Sequence, residues 1–146
     1  MNTLFAAVRA IHYASAMLLF GELAFALVLA GSATRGAALD GASLRRRLVL
    51  SGCWSVVAGI ASGLAWLAFG AAVMNGTSIG QAMHRPVLEL VLFDTRFGHV
   101  WVLRFALLAA LGVMLLVLRK SASRAIQSRM TIGMLATAAL YLGALA

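Results

Sequence analysis

Three apolar runs, at about residues 4–31, 48–74 and 97–118, constrain this chain more than any other feature of its sequence. Each exceeds the roughly 20 residues that an α-helix needs to cross ~30 Å of hydrocarbon. Inside lipid the backbone has no water to bond with, so such segments span as helices or as closed barrels. The alternating ten-residue strands of a barrel are absent. A fourth run, 131–146, is shorter, about 24 Å at 1.5 Å per residue. The expected fold is therefore all-α, an integral membrane bundle of four transmembrane helices (about 4–31, 48–74, 97–118 and 131–146). It forms one domain over 1–146, with a short last helix or as part of a longer protein.

Composition agrees: 63% of residues are hydrophobic and 11% charged, against about half and a quarter in soluble domains. The net charge of +8 has a topological reading. Arg35, Arg45, Arg46 and Arg47 stand between the first two runs, and Arg119, Lys120, Arg124 and Arg129 between the last two. The positive-inside rule puts both segments in the cytoplasm. The N-terminus and the nearly neutral loop "NGTSIGQAMHRPVLELVLFDTR" then lie outside, and nucleic-acid binding is not needed to explain the charge. A cleaved signal peptide ending in "ALVLAGSA" is the competing reading of the first run. That run is too long for one and is interrupted by Arg9, His12 and Glu22. The single cysteine, Cys53, can form no disulfide within the chain and reads as a small packing residue.

The ionisable residues inside the runs carry the functional signal, because a charge near the bilayer centre costs at least ~2.5 kcal/mol. Arg9 and His12, three apart in "RAIHYASAMLLFGE", share a helix face in the outer half. His99 falls in the first turn of the third helix, with Arg104 about 12 Å below Arg96. Met83 and His84 stand in the outer loop, and Met17 and Met74 lie near the same depth. Imidazoles and thioethers at one level suit copper, since thioethers select Cu(I) and imidazole suits either oxidation state. The bland explanation is packing methionines and interfacial histidines, and no compact metal-binding motif is present. Glu22 lies about 15 Å further along than His12 and is expected to pair with Arg45, Arg46 or another polar group. Arg104 reads as a structural partner or an anion contact. A rival expectation is a haem-binding bundle of the b-type cytochrome kind, with His12 and His99 as axial ligands. A third is a helper subunit packed through the G-x-x-x-G pair Gly59 and Gly63. The four carboxylates are scattered and no nucleophile stands beside a base, so no enzyme is expected.

The segment "RAIHYASAMLLFGELAF" resembles the first helix of the copper resistance protein D (CopD) family in its Arg-x-x-His start. "LFDTRFGHVWVLRFALL" resembles that family's Thr-x-aromatic-Gly segment leading into a helix with a following Arg. On these matches Arg9, His12, Thr95, Gly98, His99 and Arg104 correspond to family positions, while Phe20 and Glu22 depart from the pattern. Family members are typically about twice as long, with about eight helices, so this chain corresponds to the N-terminal half. The resemblance implies a multi-pass inner-membrane protein with a periplasmic N-terminus that transports copper or confers copper resistance. It further implies a periplasmic copper-binding partner, and a second half or a homo-oligomer to complete a path.

Overall fold

The computed structural model describes residues 2–32, 41–76, 78–120 and 124–145. Six helices occur among them: α1 (Asn2–Ser32), α2 (Gly41–Asn75), α3 (Ile79–Ala82), α4 (Arg85–Asp94), α5 (Arg96–Lys120) and α6 (Arg124–Gly143). Stretches Thr3–Val28, Arg46–Asn75 and Arg96–Lys120 are each long and apolar enough to cross a membrane. α6 begins earlier than the apolar run suggests, because its polar first turns continue the helix ahead of Thr131.

The long helices form a ring in which α1 touches α2, α2 touches α5, α5 touches α6, and α6 returns to α1. Leu19, Val56, Leu108, Leu111, Leu115, Met134, Ala138 and Tyr141 fill its centre. Leu18, Trp54, Val57, Leu103, Val113, Leu116 and Leu140 point outward and are exposed. An apolar exterior of this extent suits hydrocarbon, where no hydrophobic penalty drives those side chains inward. Sequence neighbours run antiparallel, so Arg46, Arg47, Arg119 and Lys120 gather at one end of the ring. Arg35 lies outside the described residues.

The opposite end corrects the expectation of a plain loop between the second and third runs: it holds α3 and α4. Gly76, at φ 61°, turns the chain out of α2, a conformation that costs glycine little. The Ser78 hydroxyl caps α3, and Pro86 sits in the first turn of α4, where its missing N–H is no loss. α4 then lies against α5, and the closeness of that approach explains a motif. Thr95 Oγ1 donates to the Val91 carbonyl at 2.5 Å and accepts from the Gly98 N–H at 3.0 Å, closing α4 and opening α5 with one side chain. A Cβ on Gly98 would collide with the Val91 carbonyl and the Leu92 backbone. Thr95 and Gly98 thus hold one helix onto another, and neither is placed as a ligand.

Candidate functional site

The site grows from one side chain, His12, which is fully buried between α1, α2, α5 and α6. Gly63 makes room for it: a Cβ there would come within 3.1 Å of Phe105 and Trp101 and 3.2 Å of the His12 ring. Gly59, one turn away on α2, lets Ser15 and Leu108 approach to a similar degree. The G-x-x-x-G pair therefore packs this chain's own helices together.

Hydrogen bonding sets the imidazole's proton. Nδ1 lies 3.1 Å from the Gly59 carbonyl and 3.0 Å from Ser62 Oγ. The carbonyl can only accept, and the Ser62 hydroxyl already donates to the Ala58 carbonyl at 2.6 Å. Nδ1 must then carry a proton and donate it. In the neutral ring Nε2 is an acceptor, and the Tyr141 hydroxyl donates to it at 3.0 Å. Both ring nitrogens are engaged within the chain, so an incoming metal at Nε2 would have to displace Tyr141.

Aromatic rings wall the imidazole. Trp66, Trp101 and Tyr141 have ring centroids 5.5, 5.4 and 6.0 Å from it, edge-on or tilted as the ring quadrupoles favour. Two guanidiniums share the wall. Arg9 lies 5.1 Å from the Trp66 ring, and Arg104 lies 5.0 Å from Trp101 and 6.0 Å from Trp66. Arg9 is exposed and Arg104 half-buried, and a cation over an indole face gains about 0.5–1 kcal/mol at exposed sites, more as it is desolvated. Arg104 also donates from Nε (2.8 Å) and Nη2 to the Ala144 carbonyl, fastening the end of α6 to α5.

Arg9, His12 and Arg104 thus meet around Trp66, as a face shared by Arg9 and His12 would suggest. The remaining sequence-predicted residues do not join them. His99 is exposed on the face of α5 opposite Trp101 and Leu108, two residues from Trp101 at about 100° each. His12 and His99 therefore do not converge, which removes the geometry for a copper site built on that pair and equally for haem held between them. Met83 and His84 are exposed at the α3–α4 junction, and Met17 and Met74 face outward. No group of three or more His, Cys, Asp or Glu side chains that could hold a metal occurs among the described residues. Glu22 sits far from this centre and has no ion pair among the described residues: Oε1 accepts from the Ser51 hydroxyl, and Oε2 is buried without a hydrogen-bond partner. The Arg45 side chain lies outside the described ones.

Sequence reasoning missed Ser62, Trp66, Trp101 and Tyr141. Gly59, Ser62, Gly63 and Trp66 fall at i, i+3, i+4 and i+7, on one face of α2, a pattern that could have marked where His12 docks. Nothing local pointed to Tyr141, 129 positions away.

A protein-family model described as "Copper resistance protein D-like, N-terminal domain" matches residues 1–146. No curated protein and no solved structure matches the chain.

Proposed function

The chain belongs to the copper resistance protein D-like family, and from that premise we propose that it carries copper across the inner membrane. The family match over residues 1–146 is the observation on which this reading rests. In it the bundle crosses four times with the N-terminus in the periplasm, the basic end in the cytoplasm and α3–α4 outside, and it has no catalytic activity.

Copper is cargo here. Met83 and His84 offer an adjacent thioether and imidazole at the exposed outer end, a soft and borderline pair suited to Cu(I). Two donors make a transfer point rather than a store, and a periplasmic copper-binding protein would supply the ion. His12, poised by Ser62 and Tyr141, stands deeper as the next imidazole, with its Nε2 lone pair released when Tyr141 moves aside. A second half-transporter or a second copy of the chain completes the path.

Copper uptake by cells, normalised to folded protein in the membrane, tests this. Loss of a ligand or its orienting partner costs roughly 10 to 100-fold in metal affinity, so His84→Ala and His12→Ala should lose uptake at low copper. Met114→Ala removes a group at the other half of α5 and should keep normal uptake per folded molecule. Normal uptake in all three would leave the histidines as structural groups and favour a helper subunit.

A further inference from the structure

Glu22 is the one acidic residue of the first apolar run, and the copper reading gives it no role. It lies on α1 about 9 Å from the Val28 end of that span, six residues at 1.5 Å each. Its Oε1 accepts from Ser51, while Oε2 is buried and unpartnered over Gly52. A Cβ on Gly52 would come within 3.5 Å of that oxygen and 3.2 Å of Leu115. α2 thus presents Ser51 and α5 presents Leu115, and neither is charged. Arg46 and Arg47, the described cations at the same end of α2, are exposed and form no ion pair with Glu22. On its open side Glu22 borders a shallow groove lined by Ala14, Met17, Leu18, Gly21 and Phe25, none of which offers a side-chain hydrogen-bond donor. A buried carboxyl oxygen costs free energy unless something satisfies it. A proton removes the charge, the costliest part of that burial, and needs no further ligand to do so.

The surroundings also provide a route. His12 and Ser15 on α1, and Ser55 and Ser62 on α2, are buried polar residues, and His12 and Ser15 meet α2 at Ser62 and Gly59. His12 pairs with Ser62 and Glu22 with Ser51, so the two antiparallel helices keep one register along the whole seam. Ser51, Ser55 and Ser62 follow one another on a single face of α2, and Ser15 borders Gly59 between them. Ser51 to Ser55 rises about 6 Å, a gap one bridging water can span, and Ser55 to Ser62 about 10.5 Å, which takes Ser15 and more than one water to cross. The Ser15 and Ser62 hydroxyls rest on the His12 and Ala58 carbonyls and must rotate to pass a proton. At the far end the Ser62–His12–Tyr141 hydrogen bonds continue the line.

We propose that Glu22 is a proton-binding site in the membrane interior that exchanges its proton along the polar seam between α1 and α2. The proton is taken up on Oε2 and leaves by the same atom, so the carboxyl alternates between neutral and ionised with no other bond changed. This goes beyond the copper reading and does not depend on it.

Infrared spectroscopy of the purified full chain in lipid vesicles, without copper, tests the proposal. A C=O stretch from a protonated carboxyl is expected at neutral pH, lost in Glu22→Gln and moved to lower frequency by D2O. Exchange in D2O should slow several-fold in Ser55→Ala and in Ser62→Ala, and remain at the wild-type rate in Thr137→Ala, whose hydroxyl bonds within α6. Ser51→Ala, which leaves the carboxyl in place, should shift the band without removing it and so serves if Glu22→Gln fails to fold. No such band in the wild type, a band that survives Glu22→Gln, a band that Ser51→Ala leaves unmoved, or exchange indifferent to the seam serines would each overturn the proposal. Failure of copper uptake would leave all of these measurements in force.

Discussion

Replacing Tyr141 with phenylalanine removes one oxygen from the centre of the bundle and keeps the ring. The ring is fully buried, with its edge toward His12 at a centroid distance of 6.0 Å, so its packing survives the change. What is lost is the O–H that donates to Nε2 at 3.0 Å. No water-filled space is needed to predict the outcome, because Nε2 keeps its lone pair and has no other hydrogen-bond donor among the described residues. In water-soluble proteins an orphaned acceptor costs about 1–3 kcal/mol. Side-chain bonds between membrane helices average nearer 0.6 kcal/mol and reach about 1.7, since the unfolded chain in the membrane also finds partners. Full burial puts this one in the upper part of the membrane range, at about 1–1.5 kcal/mol. Reversible unfolding in mixed detergent micelles measures it directly. A double-mutant cycle with His12→Leu isolates the pairwise part: the two losses should fall short of additivity by about 1 kcal/mol. Nitrogen NMR of labelled histidine provides a second reading, since wild-type His12 should carry its proton on Nδ1. Strict additivity, or a neutral ring protonated on Nε2, would refute the hydrogen-bond assignment on which the site description rests.

Gly98→Ala should cost about 1–3 kcal/mol, as overpacking does, because the added methyl meets the backbone of α4 and no flexible side chain can yield. Thermal unfolding would show it, and Gly80→Ala, with open space around it, is the matched control. Arg104→Lys keeps the charge but cannot reproduce the guanidinium's two bonds to the Ala144 carbonyl. Hydrogen exchange should therefore quicken at residues 140–145 while the centre of α5 stays protected. For orientation, with Cys53 replaced by alanine, an impermeant thiol reagent applied from the periplasm should label a cysteine at position 78 and spare one at position 43. The reverse labelling would invert the bundle and the proposed direction of copper with it.

The sequence by itself determined that this is a helical membrane protein, because apolar segments longer than a bilayer leave the backbone few other solutions. It also placed the basic residues at one end, and the resemblance in "RAIHYASAMLLFGELAF" pointed to the family that the full-length match establishes. Arg9, His12 and Arg104 were legible as residues that need a reason to be where they are. The reason was not legible. His12 is satisfied by Ser62, 50 positions away, and by Tyr141, 129 positions away, and helical periodicity says nothing about which face meets which across the bundle. His99 matched the pattern as well as His12 did, yet two residues' rotation from Trp101 turns it to the outside. The α3–α4 segment read as a loop because its apolar run is too short to span. Only the tertiary structure shows that α4 packs on α5, most closely at Gly98. In lipid every long helix is apolar on all sides, so the pattern that tells a soluble helix which face to bury is missing. Facing is left to small residues, close approach and a few long-range hydrogen bonds, which exist only once the helices have met.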